Sequence, residues 1–278
     1  MFSDFKILNF SILTNIYNTL FILNNYTQRV NKIKYIVNMI PKVIHYCWFG
    51  GKSLPKQAKK FIDSWKKYLP DYKIIEWNES NFPFEKYLFA KEALDNRKYA
   101  FISDVCRLYA IKEYGGVYMD TDVEVLKSLD PFLHHAAFSG FENDEFVPTG
   151  IMAGEKNSAW ANDMLAYYDN KSFVKENGEL DTLTNTFIIT QMMKEKGFVM
   201  NNKFQEKEGY VTFYPSEFFC PKSYVTGSIE LTKNTYCIHH FAKSWIPKTK
   251  RIRNNYKMKM MKIFGYKNIQ KLINIVKR

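Results

Sequence analysis

The sequence predicts an α/β fold, and three observations carry that prediction. From residue 40 onward, apolar runs of strand length alternate with helical-period segments, at spacings that suit parallel pairing through right-handed crossovers. The glycine pairs Gly50-Gly51 and Gly115-Gly116 punctuate those runs. Two carboxylates, Asp120 and Asp122, stand at the end of one apolar run, and an open α/β sheet binds its ligands outside the ends of its strands.

The elements follow in order. Residues 42–48 read as a buried strand stopped by Gly50-Gly51. Residues 56–68 read as a helix, because Phe61, Ile62, Trp65 and Leu69 recur at spacings of one, three and four. Pro70-Asp71 is a turn, 72–77 a second strand, and 81–99 loop and helix. Ser103 reads as the cap of a helix over 104–114, which Gly115-Gly116 ends before the strand 117–120. The second half is less regular, with strands over 136–141, 150–154, 211–214 and 235–241 and helices over 159–168 and 185–195. One domain over 39–246 is the simplest account. Residues 1–38, rich in Asn, Ile, Tyr and Leu and free of Gly and Pro, read either as an appended segment or as an amphipathic N-terminal helix. Asn9, Asn15 and Asn18 interrupt the apolar stretch there, which argues against a transmembrane helix.

The chain has 278 residues, with 19 Tyr and 23 Phe and an apolar share that can support a core. Its four cysteines, Cys47, Cys106, Cys220 and Cys237, form no C-x-x-C pair, so a reduced cytoplasmic protein without a zinc site is expected. The formal charge of +12 is unevenly placed: residues 248–278 carry eleven Lys or Arg and no acid, leaving the remainder close to neutral. That distribution argues against a nucleic-acid channel across the body. The tail interleaves its charges with Ile252, Tyr256, Met260, Met261, Ile263 and Phe264, then with Ile269, Leu272, Ile273 and Val276. A basic amphipathic helix over 247–278 resting on an anionic membrane surface is the expectation, against a solvated helix packed on its own domain.

The chemistry centres on acids. On an extended strand Asp120 and Asp122 point the same way, with Cα atoms about 6.5–7 Å apart. Such a pair can hold a hard divalent cation and present it to a phosphate. A bare D-x-D triplet is more often a polar strand end, and the prefix Gly115-Gly116-Val117-Tyr118-Met119 makes it more specific. Asp104 and Arg107 share a helix face at i,i+3, which alone reads as an ordinary ion pair. His239-His240 on a predicted strand sends one ring to each side, and neutral imidazole suits Mn²⁺ better than Mg²⁺. Glu142, Asn143 and Asp144 read as a solvated turn.

Ser103-Asp104-Val105-Cys106-Arg107-Leu108 with Tyr114-Gly115-Gly116-Val117-Tyr118-Met119-Asp120-Thr121-Asp122 resembles the D-x-D region of glycosyltransferase family 32. The pattern is also similar to the glucosylating domain of the large clostridial toxins. The stretch from Ile40 to Gly51 and the run His239-His240-Phe241-Ala242-Lys243-Ser244-Trp245 extend the resemblance, in order, over about 39–246. It implies a GT-A-type fold with a mixed central sheet, Mn²⁺ or Mg²⁺, and a nucleotide-sugar donor, UDP favoured over GDP. It also implies retention at the anomeric carbon. Carried over by residue, Trp48 stacks on the nucleobase. Asp104 and Arg107 meet nucleotide, sugar and phosphate, and Asp120 meets ribose and sugar hydroxyls. Asp122 ligates the metal, with His239 favoured over His240 to complete its shell, and Ser244 and Trp245 close on the diphosphate.

The leading expectation is a retaining hexosyltransferase building a bacterial surface polysaccharide. Its acceptor would be a glycan or lipid-linked oligosaccharide, and it would sit peripherally on the inner face of the cytoplasmic membrane. A toxin-like protein-modifying transferase, a metal-dependent phosphoesterase or nuclease, and a non-enzymatic adaptor are the alternatives. The phosphoesterase needs more acidic ligands than the sequence places, and intact Asp104, Arg107, Asp120 and Asp122 argue against a degenerate adaptor.

Overall fold

The computed structural model describes residues 39–148 and 150–242, together with Phe21, Leu23 and Asn24. The chain divides into two compact units, Met1–Met39 and Ile40–Arg278, and the sheet belongs to the second. Strands buried at every residue have no solvent face and must lie inside a sheet covered on both sides. β3 (Gly116–Met119) and β6 (Ile151–Gly154) are of that kind, and they lie side by side in the middle of a seven-stranded sheet.

The order across the sheet is β2 (Lys73–Trp77), β1 (Val43–Cys47), β3, β6, β5 (Ala137–Gly140), β8 (Val211–Tyr214) and β7 (Gln205–Lys207). β1 runs parallel to both β2 and β3, and β5 parallel to β8. The β3–β6, β5–β6 and β7–β8 pairs are antiparallel. The sheet is therefore mixed, as the GT-A-type expectation requires. A second, two-stranded sheet pairs β4 (Val123–Val125) with β9 (Cys237–His239) antiparallel.

Parallel pairing of β2, β1 and β3 has a functional consequence. Their C-terminal ends lie on one edge, so Trp48 and Asp120 emerge there from neighbouring strands. The glycine pair at the start of β3 permits this close approach. Gly115 and Gly116 have φ of 65° and 113°, and a Cβ on Gly116 would lie 2.5 Å from the Val43 carbonyl oxygen. Buried His45 locks the same junction: its Nε2 lies 2.8 Å from the Gly115 carbonyl, and its Nδ1 accepts the Trp77 indole N–H at 3.1 Å. Burial lowers the His45 pKa to about 4, so the ring is neutral and structural.

α1 (Lys56–Tyr68) buries Ala58, Phe61, Ile62 and Trp65 on one stripe. It anchors the small sheet by two side chains. The Trp65 indole donates to the Val123 carbonyl at 2.7 Å, and the Ser64 hydroxyl accepts the Val125 N–H at 3.0 Å. α2 (Leu88–Asp95) packs against α3 (Tyr99–Tyr114), which buries eight residues including Asp104. α4 (Ala159–Ala166) and α5 (Asn185–Glu195) begin at Ser158 and Thr184, whose hydroxyls accept the Ala161 and Phe187 N–H groups.

The structure corrects several sequence expectations. α3 starts at Tyr99, so Ser103 lies inside it and bonds back to the Tyr99 carbonyl instead of capping. β9 covers Cys237–His239 and leaves His240 beyond the strand. β4 and β7, three residues each, were too short to show a period. All four cysteines are free and buried, as small hydrophobes.

Candidate active site

The site begins where β3 ends. The Asp120 N–H donates to the Gly150 carbonyl at 2.9 Å, and the Val123 N–H closes a turn onto the Asp120 carbonyl at 3.0 Å. Asp122 therefore sits on a turn and not on a strand face, which replaces the argument from strand alternation. Convergence comes from β9. The pairing of Val123 with His239 brings the imidazole Nε2 to 3.5 Å from Asp122 Oδ1 and 3.8 Å from Asp120 Oδ2. One ligand atom each from Asp120, Asp122 and His239 lies within 4.8 Å of the others.

This donor set fits a divalent cation of the Mn²⁺ kind, for which two carboxylates and an imidazole are suitable ligands. The imidazole is seated against Gly150, where a Cβ would stand 3.0 Å from the ring. Backbone donors orient Asp122: the Ala242 N–H reaches its Oδ2 at 2.6 Å, and the His240 N–H reaches its carbonyl at 2.9 Å. Burial alone would raise the Asp122 pKa, but His239 and the Ala242 N–H outweigh it and hold the carboxyl below its usual range. Burial alone would lower His239, but Asp122 and Cys220 hold its pKa well above the ordinary value. A proton and a cation thus compete for the same imidazole lone pair.

A second wall stands beside the first. The Arg107 Nη2 lies 3.1 Å from Asp104 Oδ1 and 3.3 Å from Asp120 Oδ1, so one guanidinium bridges helix and strand end. Its Nε donates to the Ser103 carbonyl at 3.2 Å, and its Cζ lies over the Tyr118 ring, 4.7 Å from the centroid. The Tyr118 hydroxyl donates to Asp120 Oδ1 at 2.9 Å. Burial works against the Arg107 charge, yet Asp120, Tyr118 and Asp104 raise its pKa further. Asp104 goes the other way. Burial lifts its pKa to about 6, with Arg107 opposing and Asp120 reinforcing the rise.

Asp104, Arg107, Asp120, Asp122 and His239 are thus brought together. Trp48 is half-buried at the same sheet edge; its N–H donates to the Trp77 carbonyl at 2.8 Å and its indole to the Lys52 carbonyl. His240 is not part of the cluster, against the sequence's pairing of it with His239. Its Nε2 lies 2.8 Å from Glu124 Oε2, and its ring stacks on Phe61 with centroids 4.5 Å apart. Glu142, Asn143 and Asp144 close on themselves in a turn through Glu142 N–H to Phe146 O and Glu145 N–H to Asn143 Oδ1. Ser244, Trp245 and the 247–278 tail lie outside the described residues.

Sequence reasoning did not assign roles to Tyr118, Gly150, Cys220 or Asn185. Tyr118 lay inside the quoted motif and was legible. Asn185 had no signal. It donates from Nδ2 to the Asp104 carbonyl at 2.9 Å, and its Oδ1 is buried without a partner among the described residues.

A mixed sheet, D-x-D acids at a strand end and a cluster suited to a cation define a D-x-D glycosyltransferase site. Comparison with known proteins agrees: residues 55–139 match the family described as "Glycosyltransferase sugar-binding region containing DXD motif". Those residues are similar to the D-x-D region of glycosyltransferase family 32. It is 30% identical over 124 residues to inositol phosphoceramide mannosyltransferase 1 of Schizosaccharomyces pombe, covering 40% of this chain and 39% of the relative. It is 33% identical over 104 residues to the mannosyl phosphorylinositol ceramide synthase SUR1 of Saccharomyces cerevisiae, covering 36% of this chain and 27% of the relative. An uncharacterized glycosyltransferase, L373, of Acanthamoeba polyphaga mimivirus is 27% identical over 154 residues, covering 53% and 61%. Among solved structures, the PaToxG glycosyltransferase overlaps with a TM-score of 0.45 at 20% identity, covering 63% of this chain and 76% of its own.

Proposed function

We propose that the chain is a metal-dependent, retaining hexosyltransferase that moves a sugar from a nucleotide-diphosphate donor to a lipid-linked or glycan acceptor. The observation that carries this reading is the convergence of Asp120, Asp122 and His239 beside the Asp104–Arg107 pair. Asp122 and His239 would hold Mn²⁺, with Asp120 at its border, and the cation would supply Lewis-acid stabilisation of the departing diphosphate. Arg107 contributes a fixed positive charge at the same place, already oriented by Tyr118 and Ser103, so it need not reorganise as charge develops. Asp120, held by the Tyr118 hydroxyl and by Arg107, is placed to accept from ribose or sugar hydroxyls. Asp104 would accept a hydroxyl of the sugar once it is ionised. Trp48, at the exit of β1, offers an indole face for a base.

The chain spans 39% and 27% of the two fungal relatives, so donor and acceptor are part of the proposal. Their names specify mannose and inositol phosphoceramide, which supports a mannosyl donor and a lipid acceptor over a capsule glycan. The basic tail supports a peripheral position on an anionic membrane, on the cytoplasmic side.

The test is hydrolysis of UDP- and GDP-linked hexoses with Mn²⁺, comparing wild type and Asp122→Asn. Nucleotide release by the wild type alone supports the reading. Release by neither form, from any donor, overturns it. Cleavage of a simple phosphodiester, with no preference for sugar nucleotides, would favour the phosphoesterase alternative.

A further inference from the structure

Between α6 (Ser216–Phe219) and β9 the chain builds a compact hairpin over 221–231. Lys222 and Ile229 form an antiparallel bridge. The Ser223 N–H donates to the Ser228 carbonyl at 2.8 Å, the Gly227 N–H to the Ser223 carbonyl at 2.8 Å, and the Glu230 N–H to the Pro221 carbonyl at 3.1 Å. The Thr226 and Ser228 hydroxyls bond each other at 2.7 Å, and the Ser223 hydroxyl accepts the Thr226 N–H at 3.1 Å. The polar groups of the tip thus bond one another, which lowers the cost of bringing the tip out of bulk water.

The apolar side chains of this hairpin face outward. Tyr224, Val225, Ile229 and Leu231 are 46%, 44%, 43% and 59% exposed. Single exposed apolar residues are ordinary on a protein surface, whereas a cluster marks an interaction site. Four of the twelve exposed large apolar residues among those described fall within the eight positions 224–231. The hairpin also touches the candidate active site. The Tyr224 ring lies edge-on to Phe241 with centroids 5.2 Å apart, and Phe241 lies 4.2 Å from the His239 ring. Lys222 Nζ donates to the His240 carbonyl at 2.8 Å.

We propose that the 221–231 hairpin is a membrane-contacting lip that inserts Val225, Ile229, Leu231 and the rim of Tyr224 into the head-group boundary of an anionic lipid surface. It turns the Asp120–Asp122–His239 cluster toward an acceptor lying in that surface. Charge identifies the occupant. The chain leaves the site at Ala242, next to Phe241, and 248–278 then carries eleven basic residues and no acid. Such a segment complements an anionic leaflet, and the exposed apolar side chains of the hairpin supply the shallow insertion that electrostatics alone does not. Glu230 on the hairpin keeps that insertion at head-group depth. The orientation toward an acceptor rests on the transferase reading; the lipid contact does not.

The experiment uses full-length protein and vesicles of phosphatidylcholine with and without phosphatidylglycerol. The triple variant Val225→Ser, Ile229→Thr, Leu231→Ser is expected to lose roughly tenfold in partition to the anionic vesicles. Its Mn²⁺-stimulated hydrolysis of sugar nucleotide in vesicle-free solution is expected to stay at the wild-type level. Flotation equal to wild type overturns the lip. A Val225→Trp variant gives a second readout, with its fluorescence quenched by brominated lipid when anionic vesicles are added. No quenching overturns the lip. A blue-shifted emission without vesicles that is lost on truncation after Pro247 shows instead that the tail covers the hairpin, which also overturns it. Absence of hydrolysis in every form would sink the transferase reading while leaving the flotation result standing.

Discussion

Asp104 and Asp122 are both poorly exposed carboxylates with a cationic neighbour, yet the protein treats them oppositely. Asp122 is held below the usual carboxylate range, whereas Asp104 rises to about 6. The difference lies in how many donors each acid has to itself. Asp122 has His239 and takes the Ala242 N–H at 2.6 Å. Asp104 shares one guanidinium with Asp120, whose own negative charge adds to the penalty of burial. A cation nearby does not by itself keep a buried acid ionised; a shared cation leaves one partner short.

The strongest way to break this contrast is Asp122→Asn. It keeps volume and removes the charge that pairs with His239. About a 10³-fold loss of Mn²⁺-dependent donor turnover is expected, together with loss of the Mn²⁺-induced rise in Tm. Next is Arg107→Met, which strands Asp104 and Asp120 in a dry site. Urea unfolding should show a loss of about 3 kcal/mol at pH 7 that shrinks toward pH 5, where protonation relieves Asp104. Arg107→Lys should recover part of the stability and little of the turnover, because an ammonium lacks the fork.

Proton linkage gives a smaller but sharper test. The folded Asp104 pKa lies above its ordinary value of 3.8, at about 6, so the folded state holds the extra proton between those values. Stability from this group is therefore full below about 4 and is lost as pH rises through about 6, by about 3 kcal/mol. Donor turnover should rise over the same interval, if the ionised Asp104 is the form that accepts from the sugar. An Asp104→Asn variant should flatten the stability slope. On the other wall, His239 is held well above its ordinary pKa, so Mn²⁺ binding at neutral pH should release a proton. Calorimetry in buffers of different ionisation enthalpy measures that release, and no buffer dependence would contradict it.

The smallest effect expected is that of His240→Gln. Its ring answers Glu124 and Phe61 and not the cluster. A stability loss of about 1 kcal/mol with Mn²⁺ affinity unchanged is the expected outcome, whereas His239→Gln should weaken Mn²⁺ binding by more than tenfold. Equal effects from the two substitutions would remove the distinction between them.

Much of the first half was legible because its signals are local. The stripe Phe61–Ile62–Trp65 sets α1 at Lys56–Tyr68, and α5 likewise occupies 185–195. The glycine pair marks the exit from α3, and its need for positive φ is a property of the backbone there. Ser103 misled because a hydroxyl that caps a helix start can equally bond back to a carbonyl inside one. β4 escaped because three residues carry no period, and its partner lies more than a hundred positions away.

The sequence by itself determined which chemistry is available: the acids, the arginine, the glycine pair that lets β3 approach β1, and the uneven charge. Residue type and short spacing decide those, and both are local. Tertiary structure decided how they combine. β9 pairs with β4, so His239 and not His240 faces the two acids, and a turn rather than strand alternation aims Asp122. Arg107 bridges Asp104 to Asp120 because α3 packs against β3, and the hairpin reaches the site through Phe241. Those contacts depend on pairings between segments far apart in the chain, and pairing energy of that kind exists only once the sheet has formed.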